Sequence, residues 1–382
     1  MSRVSPINDT SMLYVAGGTH KQDARHRQEW HRYLQGLIVS VDLKSGEVRT
    51  CASHVSPPEA CADKDPAVTF KAGTIVGDRF LACTMTEVLV YSLPDFRQVG
   101  YISKPFFNDC HHVSLLENGN LIVVSTGLDM VFELTEQGEV VREWCVLEEE
   151  PWTRFSRDID YRKVPSTKPH QSHPNYSFLL GGDLWVTRLR QRDSVRLTFT
   201  NSDMALRRIP IGDEGVHDGM LRDGKIYFTT VDGTVVVVDA QSGEVLKTHR
   251  LAEILRTDHP LGWCRGVELL DKDIVVVGFS RLRATKFEHN LRWVKHTLGR
   301  GTFGLFPTRV AAFDLAKGEQ LWEANLERTG VNSLFSIHPA DSDGHPIPGF
   351  GQSGDSRLLP GSGVNASHPR NAGRVLSDAL DP

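Results

Sequence analysis

The 382-residue chain has no run of eighteen apolar residues, no CxxC pair among its six cysteines and no block of basic charge. The first absence excludes a helical membrane span. Cysteines scattered at 51, 61, 83, 110, 145 and 264 fit reduced thiols better than a disulfide frame or a zinc ribbon. With 43 Lys plus Arg against 48 Asp plus Glu, a net charge of −5 supplies no electrostatic footprint for nucleic acid. The opening "MSRVSPINDTSMLYVAGG" lacks an apolar core between a charged start and a small-residue cleavage site, so a cytoplasmic location is expected. Glycines in "GGTHKQ" and "GDEGVHDG" are outside the strand–loop–helix context of a nucleotide-binding loop. Nucleophile elbows, kinase signatures and EF-hand loops are missing, as is long helical periodicity, which argues against α/β architectures.

What the chain does have is a repeat. "IVSVDLKSGEV" (38–48), "VLVYSLPDFRQV" (88–99), "MVFELTEQGEV" (130–140), "VVVVDAQSGEV" (235–245) and "VAAFDLAKGEQL" (310–321) share one cadence of strand, turn and return strand. A weaker copy is "RLTFTNSDMALRRI" (196–209). Before most copies stands another hairpin, as in "LLENGNLIVVS" and "MLRDGKIYFTT". Paired hairpins spaced by roughly 40 to 60 residues predict four-stranded blades around an axis. The expected fold is all-β, a six-bladed β-propeller. Blade one (12–55) is completed by 330–338, which closes the ring and removes free edges. The other blades are 67–104, 106–146, 170–211, 214–252 and 262–327. Residues 1–339 form the domain, and 340–382, rich in Gly, Ser, Pro and Asp, a loose tail.

Counting back seven residues from the following turn aligns Lys71, His112, His217 and Arg265 at the starts of inner strands. His173 fits one position out, and Asn332 matches through "GVNSLF" against "GVHDGM". The six side chains would converge on one funnel, with His112 facing the axis and His111 lying between blades. Insertions 19–35, 147–169 and 284–305 would cover its mouth, where long loops act as lids or binding elements. Cys110 and Cys264, each beside a ring residue, turn away as packing thiols.

Three imidazoles on consecutive blades suit a divalent transition metal (iron, copper, manganese or zinc), with His112, His173 and His217 as ligands. Such a centre leaves positions for water, oxygen or substrate. Glu268, deeper in the channel, would serve as a fourth ligand or general base, and Asp109, Glu214 and Asp218 would orient imidazoles. Lys71 and Arg265, assigned catalytic roles with Glu268, would also hold the anionic group of a small organic substrate, with Asn332 and Trp152 adding contacts. Oxidation, lyase chemistry and hydrolysis all remain open. No nucleic-acid or membrane partner is expected.

A second reading uses the same ring without metal. "HHVSLLENGNLIVVS" followed by "VFELTEQGEVVREW" resembles a blade of the arylsulfotransferase-like propellers. The resemblance covers about one blade, and implies six blades and a funnel of His, Arg and Asn in which one His carries the sulfuryl group. Members of that family are typically exported, whereas no secretory signal is expected here. A third reading is a propeller that binds a partner and catalyses nothing.

Overall fold

A computed structural model describes residues 10–24, 27–198, 200, 204–282 and 306–347. It contains six four-stranded antiparallel sheets arranged as a β-propeller. Blade one comprises β1 (Met12–His20), β2 (Tyr33–Asp42), β3 (Val48–His54) and, innermost, β24 (Ser333–Ala340). Blade two holds β4 (Gly73–Val76), β5 (Arg79–Cys83), β6 (Val88–Ser92) and β7 (Gln98–Ile102). Blade three holds β8 (Cys110–Leu115), β9 (Leu121–Ser125), β10 (Met130–Leu134) and β11 (Val140–Cys145). Blade four runs β12 (Pro174–Leu180), β13 (Asp183–Arg188), β14 (Asp193–Arg196) and β15 (Arg208–Pro210). Blade five runs β16 (Val216–Arg222), β17 (Lys225–Thr230), β18 (Thr234–Asp239) and β19 (Val245–Arg250). Blade six runs β20 (Trp263–Asp271), β21 (Ile274–Ser280), β22 (Arg309–Asp314) and β23 (Glu319–Asn325). The ring closes as the sequence predicts, with β24 pairing antiparallel to β1.

Period-two alternation builds the core. Leu13 and Val15 of β1 point into an apolar cluster shared with Leu270, Val276 and Val310 of blade six. Tyr14 and Ala16 point the other way, into a cluster with Ile75 and Phe80 of blade two. Comparable clusters fill every other blade junction, so each sheet buries both faces and the disc needs no central core. The repeated "D-x-x-x-G-E" segments are the turns between third and fourth strands. Asp42, Asp239 and Asp314 each accept amide hydrogens two and three residues on. Gly46, Gly243 and Gly318 then take the left-handed conformation, with φ of 72°, 73° and 67°.

The inner strands share a feature invisible in the sequence: each carries a β-bulge near its start. Unpaired between two ladder partners are Phe335, His111, Asn175, Gly219 and Gly266. Ala72 stands at the equivalent place between the bond of the Lys71 amide to Cys83 and the Gly73–Ala82 pair. A bulge inserts one residue and re-aims the side chains around it. Gly219 is required there, because a Cβ would meet the Phe178 ring at 2.7 Å. The final strand reaches Ala340, and residues 341–347 turn back on blade one, where the Gly344 carbonyl accepts from Tyr14 at 2.7 Å. The loose tail expected from 340 thus falls otherwise outside the described residues, as does the insertion expected at 284–305.

Candidate functional site: a cationic funnel lined by imidazoles

The bulges decide which histidine reaches the axis. Being the extra residue of β8, His111 turns toward the funnel, its ring 6.5 Å from that of Phe335 and 4.8 Å from that of His173. His112 points between blades three and four, stacked on Tyr176 at 4.0 Å. Its Nδ1 accepts from the Ser177 amide at 3.2 Å and lies 2.9 Å from the Ser177 hydroxyl. With Nδ1 an acceptor, the proton sits on Nε2, which is 3.4 Å from Thr74 Oγ1. Both nitrogens are committed to protein, and the ring is fully buried. The expected assignment of the two neighbours is therefore reversed. A count from the turn cannot register the inserted residue, and a slip of one reverses the facing.

Of the ring expected from sequence, Lys71, Arg265, His173 and His217 do gather. Phe335, the bulged residue of β24, stands at their centre and is nearly inaccessible. The Lys71 ammonium lies 4.5 Å and the Arg265 guanidinium 4.1 Å from its ring centroid. Cations over an aromatic face are attracted to its quadrupole, so the ring forms a floor under both charges. His217 adjoins Trp263, with 6.4 Å between ring centroids, and is close enough to His173 to act on it electrostatically. Asn332 is engaged elsewhere: its side-chain oxygen accepts from the His20 amide at 2.8 Å, tying β24 to the first insertion. Trp152 packs on Phe132 of blade three at 6.1 Å, beneath the Arg157 guanidinium at 4.7 Å, and braces its own insertion rather than the funnel. Glu268 is buried at a deeper level near Tyr176, and burial pushes its carboxyl up to about 8. At neutral pH it is therefore mostly protonated.

Several members lie outside the six-residue ring that the sequence pattern aligns. Asp109 lies 3.2 Å from the Lys71 ammonium, off the hydrogen-bonding direction, so Lys71 Nζ and Asp109 Oδ1 have no hydrogen-bond partner among the described residues. Burial raises the Asp109 carboxyl, but Lys71 and then His111 outweigh it and hold it below the usual carboxylate range. The Asp109 carbonyl is 2.7 Å from His111 Nδ1. A carbonyl can only accept, so Nδ1 carries the proton and Nε2 a bare lone pair. Burial, then the Lys71 charge, pulls this imidazole down to about 3, so it is neutral at physiological pH. His173, also neutral, is pushed down by burial and then by His111. His170 stacks on His173 with their Nδ1 atoms 3.0 Å apart. Two nitrogens at that distance share one proton.

The insertions 19–35 and 147–169 touch one another beside this cluster. Glu29 of the first pairs with Lys168 of the second at 2.7 Å. Burial opposes the Lys168 charge, but Glu29 and then Asp109 hold its pKa above the ordinary value. Signals for the missed residues existed only in part: "DCHH" and "KPHQSHP" are dense in histidine, but nothing local marks Phe335 as axial.

The metal centre expected from His112, His173 and His217 is not assembled, because His112 faces away. Among the described residues, no group of three or more His, Cys, Asp or Glu is placed to hold a metal ion. What is assembled is a funnel of two fixed cations, the Asp109 carboxylate and neutral imidazoles.

The class is thus a six-bladed β-propeller with a polar axial site. No family model matches the chain, and no curated protein matches its sequence. Among solved structures, it is similar to a protein of unknown function from Bacteroides caccae, at 14% identity and a TM-score of 0.53 over 86% of this chain and 98% of that one. It also matches a streptogramin B lyase at 13% identity and a TM-score of 0.45, over 92% of this chain and 93% of that one. The first of these likenesses is one of fold alone.

Proposed function

We propose that the funnel binds a small organic anion and acts on it through His111, without His112. Lys71 and Arg265 hold the negative group above the Phe335 ring, and His111 presents Nε2 to the bound molecule as a general base or nucleophile. The observation that carries this reading is the buried Lys71 ammonium, which is ion-paired with Asp109 at 3.2 Å but has no hydrogen-bond partner among the described residues, and which stands beside Arg265 and a bare imidazole nitrogen. A buried donor of that kind is costly unless something bonds to it. An anionic oxygen there satisfies Lys71. As base, His111 takes a substrate proton on Nε2, and the imidazolium so formed faces Asp109 Oδ1, 3.7 Å from Nδ1. Metal-free group transfer on an arylsulfotransferase-like pattern is compatible with the same placement.

Thermal-shift and calorimetric titration with inorganic sulfate, inorganic phosphate and benzoate test the binding step. At least one should stabilise the wild type, and Lys71→Met or Arg265→Met should weaken it roughly tenfold or more, as loss of a charged hydrogen bond implies. Absence of binding by all three, or unchanged affinity in both variants, refutes the proposal.

A further inference from the structure

One fully buried carboxylate outside the funnel organises its imidazoles. Asp129 follows a short turn in blade three and has φ of 50°. Its Oδ1 accepts from the amides of Ser172 at 3.1 Å and His173 at 2.8 Å, and its Oδ2 from Gln171 at 2.8 Å. Three successive amides are thus tied to one side chain of the neighbouring blade, at the point where the chain turns into β12. His173 there takes φ of 60°, a conformation unusual for a residue with a Cβ. Arg154 Nη1 and Nη2 both donate to Oδ2, each at 3.0 Å. Arg154 belongs to the insertion 147–169, so the carboxylate is gripped by the insertion on one side and grips the histidine segment on the other.

We propose that Asp129 is a positioning residue for the His170–His173 pair, and that Arg154 makes the seating of insertion 147–169 a condition of that positioning. The backbone of 171–173, with its strained residue at His173, keeps its course only while its amides have this acceptor, since buried amides without one are expensive. That course sets the two Nδ1 atoms 3.0 Å apart and places His173 beside His111. Asp129 touches no ligand in this arrangement and acts through the backbone. The inference rests on the funnel being the site proposed above, but its geometry is measurable without a substrate.

The test is the ¹⁵N spectrum of the imidazoles in the full chain with labelled histidine. Wild type should show scalar coupling across the Nδ1···Nδ1 hydrogen bond between His170 and His173. In Asp129→Asn, whose amide group sets a donor against the Gln171 amide or Arg154, that coupling should vanish while near-ultraviolet circular dichroism stays native. Arg154→Gln should diminish it, and Arg154→Lys should restore most of it, a rescue that a general loss of stability does not produce. If Asp129→Asn fails to fold, the two Arg154 variants decide. Coupling absent from wild type, or unchanged in folded Asp129→Asn or in Arg154→Gln, overturns the inference. Sulfate titration of the same samples separates the two proposals: no sulfate binding by wild type with the coupling pattern intact rejects the anion site and leaves the clamp standing.

Discussion

Replacing His112 by alanine separates the two histidines that the sequence sets side by side. The ring is fully buried, so its loss is felt as stability rather than as binding. Two effects set the size. The Ser177 amide, which donates to Nδ1, is left without its acceptor inside the sheet junction, at about 1–3 kcal/mol. Stacking on Tyr176, with centroids 4.0 Å apart, contributes about 0.5–1.5 kcal/mol more. Alanine also leaves a void that the rigid blade junction fills only in part, which places the total in the upper half of that sum, roughly 3–4.5 kcal/mol. A protein with about 5–15 kcal/mol of stability remains folded at 25 °C after such a loss. Urea denaturation followed by tryptophan fluorescence should show the midpoint falling, with anion affinity of the folded state unchanged within twofold. His111→Asn should do the reverse: it keeps a donor for the Asp109 carbonyl, costs about 1 kcal/mol or less, and disturbs the funnel. A His112→Ala protein within about 1 kcal/mol of wild type, or one of full stability that loses anion binding, would refute the facing assigned to both side chains.

Two further predictions concern buried charge. Burial raises the Glu268 carboxyl from its ordinary 4.5 to about 8, so the folded state binds this proton more tightly than the unfolded chain. Its contribution to stability is therefore present below about pH 4.5 and is lost as pH rises to about 8. Glu268→Gln, which keeps the shape of the neutral acid, should flatten that decline in melting temperature between pH 4.5 and about 8; an unchanged slope counts against an uncharged Glu268. Arg188 is buried with both its Nε and its Nη2 on Asp193, at 2.8 and 2.5 Å, and donates to the Val146 carbonyl at 2.7 Å. Arg188→Leu leaves Asp193 unpaired and should cost about 3–5 kcal/mol in a denaturant titration, with Arg188→Leu/Asp193→Leu recovering part of it. Equal loss in the single and double variants would show that packing, not the uncompensated carboxylate, sets the cost.

How much of this protein could be read from its sequence depends on the range of the interactions involved. Blade number, strand order and the closing strand near 333–340 follow from short-range signals: apolar alternation, and turns in which an Asp side chain and a left-handed glycine fix the chain within five residues. Each of these is a local energy minimum, so it leaves a mark in the letters. Lys71 and Arg265 were legible for the same reason, since their distance from the following turn predicts their height along the axis. The facing of His111 and His112 was not. It turns on one extra residue in β8, set by how blade three meets its neighbours, and a bulge has no obligatory residue type outside glycine. Asn332 and Trp152 were misplaced because their partners, the His20 amide and the Phe132 ring, come from segments that only the closed ring brings near. Phe335 shows the same limit from the other side. An apolar residue in a strand reads as core, and only closure of the ring by β24 turns it into the floor beneath two cations. The sequence by itself determined the propeller, because pairing and turns are decided locally. Tertiary structure decided which side chains meet at the axis, because that is settled by the fit of six blades around a common centre.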